Sequence, residues 1–394
     1  MSCSSHLPWY FSTGEPDSRG WTNASPGIKR AAAIQTNFKT FGAEVAALKK
    51  YRILAFLTGV MVFLGGCTIF GKSLTYRPMV TGFYVNSSGS TDPLPSLEKY
   101  GTDLNIFSPL WYHVASDGSL ESQVQPQAVS IARKDKLKIV PLVNLATNNS
   151  AVLTNATART AAVNNLVAAV KANNWDGLNI DFELIPASAT SNFSYDRTYL
   201  DDFMKDLHGK LKALGKETDM SVLPHYQVSA NVSSIYDYSA LAPYVNHVTL
   251  MTYDKSQGSS PPGPVAPFSW VKQNITTALK QGFKPEQISL GVASYGYNWP
   301  AGQSGGFSEP TKAIMHNADN LGVQVKWSGE YQEPFYYYTD TAGNKREVWF
   351  ENHVTLKTKI DLVKKYRLYG ISIWRLGFED PSFWSVITTN IPKT

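Results

Sequence analysis

Residues 176–183 read Asp-Gly-Leu-Asn-Ile-Asp-Phe-Glu, and this stretch decides how the rest of the chain is interpreted. On a β-strand, successive side chains point to opposite faces. Asn179, Asp181 and Glu183 therefore share one face, and the three apolar residues between them share the other. An apolar face suits contact with surrounding helices, whereas a polar row at the carboxyl end of a strand suits the active-site end of a (β/α)8 barrel. The stretch predicts one strand of such a barrel.

Asp181 and Glu183 are expected to lie close together on the inward face of this strand. Two neighbouring carboxylates repel each other, so at least one of them should have a raised pKa. A carboxylic acid that stays protonated near neutral pH is what a general acid requires. A solvated pair of acids is an alternative, but a buried polar row is costly without a purpose. A Mg²⁺ or Ca²⁺ site is another, but no further acidic cluster joins the pair.

Short apolar segments alternate with helical segments from about Arg77 to the end of the chain. Strands are expected at residues 81–86, 104–110, 138–144, 177–183, 220–223, 247–254, 288–295 and 370–376. Helices are expected at residues 126–134, 158–173, 199–214, 268–281 and 354–366. This alternation favours the α/β class and a (β/α)8 TIM barrel. A doubly wound open sheet is the alternative, but no glycine-rich phosphate turn follows the first strand.

The segment between the seventh and eighth strands is too long for a simple loop. It covers about residues 299–348 and contains the aromatic run Tyr336-Tyr337-Tyr338. We expect a small β-rich insertion here, within a catalytic domain that spans residues 79–394.

The N-terminal part of the chain has a different character. Residues 1–47 are rich in Ser, Gly, Pro and Asn and show no apolar period, so we expect a disordered extension. Residues 48–67 combine a basic start, an apolar stretch and small residues, as in a secretory signal. Their end, Leu-Gly-Gly-Cys, resembles a lipobox and makes Cys67 a lipidation site. A membrane anchor is the alternative. If translation begins near Leu48, residues 1–47 do not occur in the cell; residues 68–78 form a linker.

Composition excludes several other classes of function. The formal net charge is +5, and it is spread out without the basic stripe that nucleic acid requires. The seven histidines form no HxxxH or HExxH pair, and the two cysteines, Cys3 and Cys67, both precede the barrel. The barrel region therefore has no disulfide and no cysteine-based metal site.

The motif at residues 176–183 resembles the signature D-G-x-D-x-D-x-E of glycoside hydrolase family 18. Seven of the eight positions fit, and Asn179 replaces the middle Asp. Three more segments resemble strands of the same family: Leu-Met-Thr-Tyr-Asp at 250–254, the run at 290–299 that ends in Tyr-Gly-Tyr-Asn-Trp, and Gly-Ile-Ser-Ile-Trp at 370–374. They occur in the expected order, and the resemblance covers residues 79 to 385.

The resemblance implies a substrate-assisted, retaining mechanism with no metal and no cofactor. It makes Glu183 the proton donor, Asp181 the partner of the substrate's acetamide N–H, and Tyr253 the residue that aligns the acetamide oxygen. Asn179 completes the catalytic row and cannot titrate, so Asp181 should stay anionic more readily. Trp374 is expected under the reacting sugar. Further candidates for sugar contact are Tyr84, Trp111, Asp254, Tyr295 and Trp299, and core packing is an equal alternative for the four aromatic residues among them.

Three segments carry a narrower resemblance: Val-Ala-Pro at 265–267, Tyr-Gly-Tyr-Asn-Trp at 295–299 and Glu-Val-Trp-Phe-Glu at 347–351. Through them the chain most resembles, within the family, the bacterial spore-cortex and cell-wall glucosaminidases. This implies hydrolysis of β-1,4 bonds after N-acetylglucosamine in peptidoglycan. Together with the lipobox that ends at Cys67, it leads us to expect a monomeric lipoprotein on the outer surface of a bacterial membrane. Two alternatives stay open. Asp254 is the residue typical of chitinases, so chitin is a second substrate class. A catalytically inactive lectin on the same fold is the other, although such proteins commonly lack the acid that Glu183 supplies.

Overall fold

The computed structural model describes residues 76–146, 150–183 and 193–393, apart from the side chains of residues 193–196. The expected N-terminal extension, the signal or anchor at 48–67 and the lipidation site Cys67 lie outside the described residues. Among the helices that the model describes, none has the length and apolar character needed to cross a membrane.

The described residues contain fifteen strands. They are β1 (Met79–Val85), β2 (Ile106–Val114), β3 (Leu120–Ser122), β4 (Lys138–Ile139), β5 (Leu142–Leu145), β6 (Gly177–Ile180), β7 (Glu217–Val222), β8 (His247–Leu250), β9 (Ile288–Ala293), β10 (Tyr295–Pro300), β11 (Phe307–Pro310), β12 (Lys326–Ser328), β13 (Glu333–Thr339), β14 (Lys345–Phe350) and β15 (Gly370–Trp374).

Eight of these strands form a closed parallel barrel, as predicted. Going round it, the order is β1, β2, β5, β6, β7, β8, β9 and β15, and β15 pairs with β1 to close the ring. The short strand β4 also pairs with β2, so the third predicted strand is split in two. A closed ring leaves no unpaired edge, and it brings the carboxyl ends of all eight strands together at one mouth.

Eleven helices accompany the strands in the described residues. They are α1 (Leu94–Tyr100), α2 (Pro126–Lys134), α3 (Ala151–Thr154), α4 (Ala156–Asn173), α5 (Phe193–Ala213), α6 (Ala230–Ser233), α7 (Tyr238–Leu241), α8 (Phe268–Lys280), α9 (Thr311–Asn320), α10 (His353–Tyr366) and α11 (Pro381–Asn390).

Helix α4 shows why the predicted helices form close to their expected bounds. The side chain of Asn155 accepts hydrogen bonds from two backbone N–H groups of the first turn, which caps the helix. Its buried residues recur at helical spacing and pack in the barrel's outer core, and Asn174 ends it in a left-handed conformation. Helix α2 has the predicted bounds, whereas α1, α9 and α11 were not predicted.

The segment after the seventh barrel strand is β-rich, as predicted, and it also contains one helix. Five antiparallel strands pair in the order β11, β10, β14, β13 and β12. Helix α9 covers one face of this sheet, where Ile314, Tyr336 and Phe350 form a small separate core. The insertion starts at Tyr295, earlier than expected, because the chain turns directly from β9 into β10.

Buried charged groups attach the insertion to the barrel. The carboxylate of Glu333 accepts hydrogen bonds from the backbone N–H groups of Val265 and Ala266, at 2.5 and 3.0 Å. Lys359 of α10 forms an ion pair with Glu351, and both side chains are almost fully buried. A buried carboxyl bonded to two N–H groups and a buried ion pair are both satisfied internally, so these contacts fix the insertion beside the barrel's mouth.

Candidate active site

The site begins at the carboxyl end of β6. The regular strand ends at Ile180, three residues earlier than predicted, although the N–H of Asp181 still donates to the carbonyl of Val143 at 2.9 Å. Leu178, Ile180 and Phe182 are fully buried in the core that β6 shares with the helices. The alternation expected from the sequence therefore continues past the strand's end, and it turns the polar residues inward.

Asp181 and Glu183 lie side by side at this end of the barrel. Asp181 is 3% exposed, and Glu183 is partly exposed at the mouth. Within the described part of the chain, Asp181 Oδ1 and Glu183 Oε2 are both buried without a hydrogen-bond partner. Burial raises the pKa of Asp181 to about 7. Burial, followed by the charges of Asp181 and Asp254, raises the pKa of Glu183 well above its usual range. Glu183 is thus the group that holds a proton at neutral pH.

The residues after β8 and the start of β10 form the opposite wall. Asp254 accepts hydrogen bonds from the hydroxyls of Tyr295 and Tyr297, at 2.6 and 3.0 Å. Its backbone has a φ of 59°, a left-handed conformation uncommon for residues other than Gly, Asn and Asp. Burial raises the pKa of Asp254 to about 6, although the two tyrosine hydroxyls oppose this shift. Tyr253 is the residue before it. Burial, followed by the charges of Asp181 and Glu183, raises the pKa of its hydroxyl well above the usual range.

Trp374 lies at the end of β15, where its ring is partly exposed. It packs against the buried cluster of Val265, Ala293 and Tyr295, which Tyr253 also contacts. Its other neighbour is Phe83, whose ring meets it edge-on at 5.4 Å. The structure therefore brings Trp374, Tyr253 and the two acids to one mouth, with a partly exposed aromatic face between them.

Asn179 occupies the inward position below Asp181. It is 4% exposed, and its amide oxygen accepts a hydrogen bond from the hydroxyl of Ser221 at 3.2 Å. The amide oxygen of Asn179 thus bonds a neutral group on the neighbouring strand β7. Asn179 therefore adds no charge to the pair above it.

Three of the aromatic candidates lie in the core. Trp111 and Trp299 are 0% exposed, and Tyr84 is 1% exposed. The indole of Trp299 donates to the carbonyls of Gln257 and Ser260, so a loop that follows β8 covers it. Trp111 packs against Phe107 and Trp175. A buried ring has no face for a sugar, so the structure favours core packing for these three residues. Tyr295 is 4% exposed, and its hydroxyl contacts Asp254.

Sequence analysis missed two tyrosines at the site. Tyr297, which binds Asp254, follows Tyr295 by two residues on β10, so strand alternation could have placed both on one face. Tyr236 donates a hydrogen bond from its hydroxyl to the carbonyl of Phe182 at 3.0 Å. It comes from an irregular segment between α6 and α7, where no periodic signal exists.

One cluster among the described residues has the composition of a metal site, and it lies elsewhere. The ligand atoms of Glu217, Asp219 and His247 fall within 4.8 Å of one another at the start of β7 and β8. Glu217 pairs with Lys138 at 2.5 Å, and Asp219 contacts the ring of His247 at 3.1 Å. Glu217 is thus paired with a lysine, and the cluster lies at the opposite end of the barrel from Glu183.

Comparison with known proteins matches residues 84–379 to the family described as glycosyl hydrolases family 18. The YdhD protein of Bacillus subtilis (strain 168), named as a sporulation-specific glycosylase, is 31% identical over 72% of this chain and 68% of its own length. The cortical fragment-lytic enzyme of the same organism is 26% identical over 60% of this chain and 54% of its own. A crystal structure of a chitinase from Chromobacterium violaceum ATCC 12472 superposes with a TM-score of 0.72 at 24% identity, covering 81% of this chain and all of that one, and this likeness shows the fold.

Proposed function

The chain belongs to glycosyl hydrolase family 18 and is a glycosidase, and we propose that it cleaves β-1,4 bonds after N-acetylglucosamine in peptidoglycan with retention of configuration. One observation carries the proposal. Glu183 has a raised pKa and a buried oxygen that no described residue bonds, and it lies beside a second carboxyl, Asp181, at the mouth of the barrel. A protonated acid next to a more easily ionised one is the arrangement that glycosidic bond cleavage requires.

In the first step, Glu183 gives its proton to the glycosidic oxygen as the bond from that oxygen to the anomeric carbon breaks. The carbonyl oxygen of the substrate's own 2-acetamido group attacks the anomeric carbon and forms an oxazolinium ion. Asp181, ionised, accepts the acetamide N–H and stabilises the positive charge. The nucleophile belongs to the substrate, so this route is an exception to the scheme of two protein carboxylates.

In the second step, water attacks the anomeric carbon. Glu183 now takes one proton from that water, the acetamide re-forms, and the product keeps its original configuration. Tyr253 donates its hydroxyl to the acetamide oxygen. Burial raises the pKa of Tyr253 well above its usual range, so this hydroxyl stays protonated and remains a donor. Trp374 supplies the apolar surface beneath the reacting sugar.

Replacement of Tyr253 by Phe tests the alignment of the acetamide. We expect Tyr253→Phe to weaken transition-state stabilisation by ~1–3 kcal/mol, because one buried hydrogen bond to the reacting group is lost. The measurement is kcat/KM together with the inhibition constant of a thiazoline analogue of N-acetylglucosamine, which mimics the oxazolinium ion. The substitution should lower kcat/KM and raise the inhibition constant of the analogue by similar factors. An unchanged kcat/KM would show that Tyr253 has no role in the mechanism.

Peptidoglycan is proposed as the substrate because the relatives include a cortical fragment-lytic enzyme. Asp254, bound by Tyr295 and Tyr297, favours chitin as the second candidate, since this residue is typical of chitinases. Purified sacculi and purified chitin oligomers, offered separately to the enzyme, distinguish the two. We expect release of fragments with reducing N-acetylglucosamine ends from sacculi. If the enzyme cleaves chitin oligomers efficiently but leaves sacculi intact, chitin is the substrate instead.

We also propose that Cys67 is lipidated and holds the enzyme on the outer face of a bacterial membrane. The support is the basic and apolar segment at 48–67 and its Leu-Gly-Gly-Cys ending. In cells, Cys67→Ala should accumulate as unprocessed precursor, and Cys3→Ala is the matched control that should mature normally. Mass spectrometry of the wild-type protein should find a lipid-modified N-terminal Cys67. A mature protein with an unmodified residue 67 would contradict the proposal.

A further inference from the structure

Tyr236 is a buried tyrosine that the proposed mechanism does not use. It is 0% exposed, lies in the main core, and donates its hydroxyl to the carbonyl oxygen of Phe182 at 3.0 Å. Phe182 stands between the two acids of the site. The residue that bonds its carbonyl therefore acts on the backbone from which both carboxyls project.

The backbone at this point has left the sheet. Regular pairing of β6 ends at Ile180, and the acids follow it. The Phe182 carbonyl and the Glu183 N–H belong to one planar peptide group. A hydrogen bond to that carbonyl consequently sets the orientation of the plane that carries Glu183.

Tyr236 is itself held firmly. Its own N–H donates to the carbonyl of Ser233 at 3.2 Å, and the ring nitrogen Nε2 of His225 lies 3.0 Å from the same carbonyl. Burial, followed by the charges of Glu183 and Asp181, raises the pKa of Tyr236 well above its usual range. The hydroxyl therefore stays protonated and remains a donor while the acids exchange protons.

We propose that Tyr236 is a positioning residue, whose hydroxyl holds the Phe182–Glu183 peptide in one orientation and so directs the Glu183 carboxyl toward the glycosidic oxygen. This inference rests on the proposed hydrolysis. Tyr236 acts on the chemistry through Glu183. A misplacement of a catalytic group by about 1 Å can cost roughly 10²-fold in rate.

Tyr236→Phe removes the hydroxyl and keeps the ring. We expect kcat to fall ~10–100-fold on soluble peptidoglycan fragments, with KM little changed, because the acid is misplaced while the sugar contacts stay. On a 4-nitrophenyl glycoside the loss should be much smaller, since nitrophenolate departs with little help from an acid. In a Glu183→Gln background the same change should add almost no further loss, because the group it positions is already gone.

Tyr238→Phe is the matched control. Tyr238 is also buried in the main core, and its hydroxyl donates to the carbonyl of Leu223 at 2.5 Å. Its removal should lower thermal stability as much as Tyr236→Phe does, but without dependence on the leaving group. If Tyr236→Phe folds poorly, 4-aminophenylalanine at position 236 restores an N–H donor at the same place and should recover part of the rate.

Three results would overturn the inference: equal losses on both substrates, full additivity with Glu183→Gln, or the same leaving-group effect from Tyr238→Phe. Its failure is distinct from failure of the proposed function. A wild-type enzyme that cleaves neither sacculi nor chitin oligomers refutes the function, whereas an active wild-type enzyme with an equally active Tyr236→Phe variant refutes only the positioning role.

Discussion

Glu183→Gln should lower kcat by ~10²–10⁴-fold or more, because glutamine keeps the size and hydrogen bonding of the side chain but has no proton to donate. Glu183 is the group whose pKa is raised by burial and by two neighbouring charges, so it is the one that is protonated when substrate arrives. The measurement is the initial rate on soluble peptidoglycan fragments, with ligand affinity measured separately by calorimetry. Affinity should be retained, since the sugar contacts of Trp374 and Tyr253 are unchanged.

Glu217→Gln is the matched control for this substitution. Glu217 begins β7, beside the start of β6, and pairs with Lys138 at the end of the barrel away from the site. Its replacement should leave kcat near the wild-type value. If Glu183→Gln retains wild-type turnover, Glu183 is not the acid, and the catalytic assignment of the whole row at residues 179–183 is wrong.

The barrel could be predicted from the sequence because its signal is local. Alternation of apolar and polar residues at 178–183 depends only on strand geometry, and the structure keeps that alternation even where regular pairing stops. Element order alone then limits the topology, since parallel strands joined by helices close in few ways. The predicted ends of the strands were less accurate than their order. Strand β8, for example, ends at Leu250, well before the expected residue 254. There Thr252, Tyr253 and Asp254 leave the sheet to form the wall of the site.

The aromatic candidates show what local patterns cannot give. Trp299 belongs to a run typical of sugar sites, yet the loop at Gln257 and Ser260 covers it. Whether a ring faces solvent depends on which distant segment packs over it, and that is a tertiary property. The same holds for Tyr236, which lies 54 residues from the carbonyl it bonds. The paired acids of the motif were recognisable from the sequence, whereas the placement of Tyr236 beside them was not.

Replacement of Asp181, the second carboxyl of the site, is the other change expected to lower kcat strongly. Asp181→Asn removes the negative charge that we propose stabilises the oxazolinium ion, and we expect kcat to fall ~10²–10³-fold. The amide still fits the site and can accept the acetamide N–H, so KM should change less than kcat. Asp176→Asn is the matched control in the same segment. Among the described residues, the Asp176 carboxylate accepts a structural hydrogen bond from the N–H of Ile139, at 2.8 Å, and an amide oxygen can replace it.

The pH profile separates a charge effect from a structural one. In the wild type the active form has Asp181 ionised and Glu183 protonated, so kcat/KM should rise with pH as Asp181, whose pKa is about 7, ionises. It should fall again as Glu183 loses its proton at higher pH; both limbs belong to the coupled pair. In Asp181→Asn the rising limb should disappear. The falling limb should move to lower pH, because the charge of Asp181 is one cause of the raised pKa of Glu183. A falling limb that stays in place would show that the two carboxyls do not interact, and Asp181 would then have no electrostatic role in holding the proton on Glu183.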